Sequence, residues 1–89
     1  MFTISSRCLY VRDGGTFRTS GDIWVRLARV RIPEEGESGY DKAKSILESL
    51  ILSKPITYRH FGIFRNCLVA EVWCGGENAN DAMIGHGYG

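Results

Sequence analysis

The segment WVRLARVRIPEE, residues 24–35, decides how this chain is read. Read by alternation it is a half-buried β-strand. Arg26, Arg29 and Arg31 ride on that strand, and it runs into Pro33 and then Glu34 and Glu35. A solvated strand edge carries such charges without purpose, whereas a phosphate-handling site requires them. Strict alternation puts Arg26 and Arg31 on opposite faces and Arg29 and Arg31 on one face. A bulge, or an end of the strand before Pro33, would re-aim Arg31.

The flanking sequence has the same character. Residues 2–12 are rich in β-formers and meet the turn Asp13-Gly14-Gly15. Residues 16–19 form a short second strand, Ser20-Gly21-Asp22 turns the chain, and residues 23–32 form the third. Tight glycine-containing connections make these an antiparallel meander. Residues 33–39 are a polar loop without an apolar anchor and the segment expected to be most mobile.

The period then changes. Ala43, Ile46, Leu47, Leu50 and Ile51 make one stripe of an amphipathic helix over residues 41–52. Ser38 or Gly39 is placed to cap it, with Asp41 in its first turn. Ser53-Lys54-Pro55 ends that helix. Residues 56–64 and 67–73 read as two more strands, and a short helix from Asn78 to about His86 follows Cys74-Gly75-Gly76. This order predicts a mainly β, α+β domain: a five-stranded OB-fold barrel with one helix between strands 3 and 4 and a short C-terminal helix.

Residues 1–89 suffice for a single domain, 44% hydrophobic and 24% charged. No run of roughly 18 apolar residues exists, so no membrane span is expected. The N-terminus shows no basic leader or apolar core, so a cytoplasmic setting is expected. Cys8, Cys67 and Cys74 have no metal-ligand spacing and read as reduced thiols. Net charge is +1, but residues 1–33 hold six arginines against Asp13 and Asp22, while residues 34–89 hold five basic residues against eight acids. The basic excess is arginine, whose planar fork suits phosphate.

Five stretches carry a resemblance in the correct order: VRDGGTFRTSG, WVRLARVRIPEE, AKSILESLI, SKPITYR and LVAEVWCGGENANDAMIGHGYG. Together they cover nearly the whole chain, and it resembles the staphylococcal-nuclease-like (thermonuclease) domain. The resemblance implies an OB-fold barrel and a calcium-dependent phosphodiesterase acting on DNA and RNA. In that family two aspartates and a threonine carbonyl hold calcium, a glutamate activates or orients water, and two arginines contact the scissile phosphate. Such chemistry needs oxygen ligands for a hard cation and fixed positive charge on the phosphate.

Laid onto this chain, the phosphate-binding arginine corresponds to Arg26 and the water-activating glutamate to Glu34. The two calcium aspartates correspond to Gly15 and Arg31. The second arginine falls on Cys67, with Arg65 two residues upstream and able to reach only if the loop is reorganised. A guanidinium at the position of Arg31 would repel calcium and pair with Glu34 or Asp13. An ion-paired Glu34 is a poor general base. The resemblance implies a third helix beyond the stretch that ends in Gly87-Tyr88-Gly89.

The resulting expectation is a nuclease-family pseudoenzyme. It has lost calcium-dependent phosphodiesterase activity and binds single-stranded DNA or RNA through Arg26, Arg29, Arg31 and Arg65, without a cofactor. One alternative is an active nuclease with an altered metal site on Asp13 and Glu34, taking calcium. A second is a protein-interaction module with a protein partner. Tyr58, Arg59, Phe61 and Phe64 are either barrel core or base contacts. Trp24 and Trp73 read as packing residues, and His60 and His86 as isolated.

Overall fold

A computed structural model describes residues 3–89. Eight elements follow in order: β1 (Ile4–Asp13), β2 (Thr16–Thr19), β3 (Trp24–Leu27), α1 (Tyr40–Ile51), β4 (Pro55–Phe64), β5 (Cys67–Cys74), β6 (Glu77–Asn78) and α2 (Ala79–Gly85). Phe2, assigned to the first strand from sequence, lies outside the described residues. No helix among the described residues is long and apolar enough to cross a membrane.

The sheet runs β3-β2-β1-β4-β5-β6, and a further pairing of β3 with β5 closes five strands into a ring. That closing pair is parallel, with Val25, Arg26 and Leu27 opposite Leu68, Val69 and Ala70; the other pairings are antiparallel. β1 serves both sides of the ring. Its first residues, Ile4–Arg7, pair with β4, and its later residues pair with β2. Register irregularities between Cys8 and Tyr10 and between Val11 and Asp13 bend it, as bulges do. The ring's interior is filled by Val11, Phe17, Val25, Leu27, Tyr58, Ala70 and Val72.

α1 covers this core with Ala43, Leu47 and Ile51, while Ile46 and Leu50 pack at its margin. Its N-cap is Gly39, in the left-handed region at φ +89°, with no side-chain cap. The first turn of α1 supports the β1–β2 turn: a Cβ on Gly14 would stand 2.7 Å from Ala43 Cβ, so only glycine lets the two approach. α2 is capped by the Asn78 side chain, whose Oδ1 accepts from Asp81 N–H at 2.8 Å.

The arginine strand is shorter than its alternation suggests. β3 ends at Leu27, and Arg29 adopts φ +66° as the chain turns away. Val25 and Leu27 are buried, and so are Ala28 and Val30, so the inward phase slips by one residue between 27 and 28. The rule that set Arg26 and Arg31 on opposite faces therefore fails. β6 was not foreseen; it is a two-residue strand that pairs Asn78 with Trp73 and Glu77 with Cys74.

Asn80 locks the seam between β3 and β5. It is fully buried. Its Oδ1 accepts from Val72 N–H at 2.9 Å, and its Nδ2 donates to the carbonyls of Ala28 and Ala70, both at 2.9 Å. Beside it Arg29 makes a bidentate pair with Glu71 (2.6 and 3.0 Å) and reaches Asp81 at 3.0 Å. These hydrogen bonds hold the Arg29 guanidinium above its ordinary range. The Glu71 carboxyl is held below its own, chiefly by Arg29.

Two outcomes follow from the seam. Asn80→Ala leaves one N–H and two carbonyls without this partner, so stability falls by about 3 kcal/mol in urea unfolding. Because the Glu71 pKa is lowered on folding, its contribution is present above the unfolded glutamate pKa and is lost as pH falls through the folded value. Arg29→Ala flattens this acid limb, read as Tm against pH; an unchanged limb would show that the pair contributes nothing.

Candidate functional site

Three connections meet at one side of the ring and enclose a cleft of about 550 Å³. The β1–β2 turn brings Arg12, Asp13 and Thr16. β3 and the loop beyond it bring Arg26, Ile32, Glu34 and Glu35, and α1 contributes Tyr40. The β4–β5 hairpin contributes Phe64, Arg65 and Cys67. The closed ring dictates this meeting, because the parallel β3–β5 pairing sets Arg26 opposite Val69, two residues beyond Cys67.

Each wall has a local cause. Asp13 Oδ1 accepts from Gly15 N–H at 2.9 Å, the turn-forming role of an aspartate before two glycines. Its Oδ2 lies 3.8 Å from Arg12 Nε. Tyr40 OH donates to the Arg12 carbonyl at 2.7 Å and ties α1 to the end of β1. Desolvation, followed by the charges of Asp13 and Glu35, holds the Tyr40 phenol above its ordinary range. Thr16 is fully buried, and its hydroxyl has no hydrogen-bond partner among the described residues. The acidic loop is held by its own turn: Glu34 N–H donates to Glu37 Oε1 at 2.6 Å, and Glu37 N–H donates to the Glu34 carbonyl at 2.9 Å.

The hairpin tip positions the remaining cation. Arg65 and Asn66 both have positive φ, 51° and 65°, as a two-residue connection between twisted strands requires. Arg65 therefore reaches the cleft from the tip, beside Cys67. Phe64 carries two guanidinium groups near its ring, Arg65 at 5.2 Å and Arg26 at 5.5 Å from the centroid. Among the described residues neither Arg26 nor Arg65 makes an ion pair.

The sequence-derived candidates separate cleanly. Arg26, Glu34, Arg65 and Asp13 line one cleft. Arg29 lies outside it, bound to Glu71 and Asp81. Arg31 is exposed, does not line the cleft, and forms no ion pair with Glu34 or Asp13; its backbone N–H donates to the Tyr88 carbonyl at 2.7 Å. Tyr58 belongs to the core, while Phe61 and Phe64 are exposed and Arg59 is half-buried. His60 and His86 stand exposed away from the cleft. Sequence reasoning missed Arg12 and Tyr40. The signal for Arg12 was its place just before the turn, one residue from the core residue Val11.

The three cysteines are unpaired, and burial pushes the Cys8 thiol up to about 11. Among the described residues no group of three or more His, Cys, Asp or Glu could hold a metal ion. The donor set does not fit a calcium cage: Asp13 Oδ1 is taken by its own turn, and the other carboxylates lining the cleft are two loop glutamates. The sequence matches no protein-family model, and no curated protein matches it.

Arg26 and Arg65 are the cleft's arginines without an ion pair among the described residues, beside the lining acids Asp13, Glu34 and Glu35, so the cleft's response to an anion can be tested. Inorganic phosphate should raise Tm above the value in chloride of equal ionic strength. The increment should vanish in the double variant Arg26→Ala, Arg65→Ala. Equal increments in both proteins would remove the cleft as the anion site.

Proposed function

We propose that the cleft binds the phosphate backbone of single-stranded DNA or RNA, in a nuclease-like domain that has lost calcium-dependent phosphodiesterase chemistry. The observation that carries this reading is the pair of unpaired arginines, Arg26 and Arg65, beside the exposed ring of Phe64 in a cleft that also holds Arg12. Cations interleaved with an aromatic ring suit an unpaired strand, which offers phosphates and base faces together. The five-strand ring, with α1 between the third and fourth strands, is read as an OB-type barrel. The resemblance to staphylococcal-nuclease-like domains supports the same reading, since the positions of Arg26 and Glu34 line one cleft.

Calcium has no part in this reading. The positions that would hold it carry Gly15 and Arg31, and the carboxylates that do line the cleft are not gathered into a cage. Glu34 lines the cleft and is exposed on the loop after β3. Of the cations, Arg26 and Arg65 bind phosphate; Arg29 and Arg31 are left out because of where they sit.

A second reading, a protein-interaction module, is favoured by the distal end of β4, where Phe61 and Ile63 are 62% and 75% exposed. An apolar end of this kind suits a protein partner better than a polyanion. Phe61→Ser with Ile63→Ser would then abolish partner capture and leave oligonucleotide binding as it was.

The test is binding of a fluorescent single-stranded oligonucleotide across a salt series. Affinity should fall steeply with salt, and each of Arg26→Ala and Arg65→Ala should reduce the slope of log K against log salt by about 1. A flat salt response sinks the proposal. The same oligonucleotide, incubated with calcium and with EDTA, should stay intact in both; calcium-dependent cleavage abolished by Glu34→Gln would establish an active nuclease with a rebuilt metal site instead.

A further inference from the structure

The outer face of the β1–β2–β3 meander is made by the residues that alternate with the core. Val11, Phe17 and Val25 point inward, so Tyr10, Arg12, Arg18 and Trp24 point outward. Register sets Tyr10 opposite Arg18 and Arg18 opposite Trp24, one row across three strands. The two rings lean together over that row, centroids 6.1 Å apart and edge to face at 86°. The guanidinium carbons of Arg12 and Arg18 lie 5.5 and 5.9 Å from the Trp24 ring, and Lys44 of α1 places its Nζ 6.0 Å from the Tyr10 ring. Two rings and three cations thus share one surface.

Little negative charge opposes them. Arg18 meets Asp22 at 3.4 Å, but that carboxylate is 85% exposed; Arg12 meets Asp13 only at 3.8 Å. Ion pairs this exposed or this long contribute little. Sealing the core does not account for all of the ring surface, since Tyr10 remains 46% exposed.

Arg12 joins this face to the cleft. It lines the cleft and also lies over Trp24. A strand anchored by Arg26 and Arg65 would pass Arg12 and lie across Trp24 and Tyr10. The geometry points to a stacking platform: the outer face of the meander takes further nucleotides of a single-stranded nucleic acid whose phosphate is anchored in the cleft. This rests on the nucleic-acid reading above and extends it to a second surface. An unpaired strand fits because it alone repeats an anion and a free planar base together; a duplex hides its base faces, and an acidic peptide supplies charge without rings.

The experiment uses intrinsic fluorescence. Trp73→Phe leaves Trp24 as the remaining indole. Oligothymidylates of about 3 and about 12 nucleotides, lengths that bracket a single OB-type site, are titrated while Trp24 emission is followed. Anisotropy of end-labelled copies gives affinity, and is repeated with the unaltered chain so that the length effect does not depend on the substitution. The longer oligomer should bind more tightly and quench Trp24; the shorter should bind with little quenching. Tyr10→Ala should cut the affinity ratio of long to short roughly tenfold, the order expected for loss of one stacked base. Tight binding of the longer oligomer without quenching, or a ratio that Tyr10→Ala leaves unchanged, overturns the platform and spares the cleft. Quenching that persists in Arg26→Ala, Arg65→Ala keeps the platform and overturns the cleft. No binding at either length overturns both. Equal quenching by oligoglutamate of matched charge overturns nucleic acid as the occupant.

Discussion

The side-chain amide of Asn80 is the contact on which the ring depends. Three strands hydrogen-bonded as a meander, and two more as a hairpin, do not by themselves form a closed structure. Closure needs β3 and β5 to lie side by side, and they do so in parallel over only three residue pairs. Short parallel ladders are weak, so the seam needs support from outside the ladder. Asn80 provides it from α2, bonding Val72 N–H and the carbonyls of Ala28 and Ala70 at once. A buried amide with its partners in place specifies one arrangement, because any other leaves polar groups unsatisfied in a low dielectric. Arg29 acts just outside this point, tying the end of β3 to Glu71 on β5 and Asp81 on α2.

Closure then creates the cleft as a consequence of topology. Once β3 lies against β5, the end of the β1–β2 hairpin, the loop after β3 and the tip of the β4–β5 hairpin have to converge. Gly14 presses the first of these against Ala43, and the Tyr40 hydroxyl holds it there through the Arg12 carbonyl. The third reaches inward because Arg65 and Asn66 accept left-handed conformations. Holding an arginine at φ +51° costs on the order of 1 kcal/mol, a strain retained at the one residue of the hairpin that supplies a cation to the cleft. The same closure leaves the outside of the meander uncovered, which is where Tyr10 and Trp24 stand.

Much of the fold was legible from period and punctuation. The helix over 41–52 is present as Tyr40–Ile51, and the strands over 56–64 and 67–73 as Pro55–Phe64 and Cys67–Cys74. Their signals are local: an apolar stripe, a proline that ends a helix, a turn between alternating runs. The closing of the sheet into a ring was expected from element order, although β6 was too short to announce itself. The third strand was overextended for an instructive reason. Its buried residues fall at 25 and 27 and then at 28 and 30, a phase slip that strict alternation forbids. Val30 and Ile32 prolong the impression of a strand, while Arg29 in a left-handed conformation breaks it.

The candidate site was half legible, because sequence position gives charge without its counter-charge. Six arginines precede Pro33, yet they do different work. Arg29 is neutralised by acids 42 and 52 residues further along, a pairing that no local pattern encodes. Arg7 donates to the Ser53 carbonyl at 2.6 Å and helps hold the chain after α1. Arg31 is carried away by the turn at Arg29. Of the others, Arg26 and Arg12 line the cleft and Arg18 lies on the outer face, joined by Arg65 from the half of the chain that is acidic overall. The opening question about WVRLARVRIPEE therefore divides at Leu27. Up to that residue the strand turns its arginine to the cleft; beyond it, Arg29 becomes the clasp that ties the end of β3 to β5 and α2.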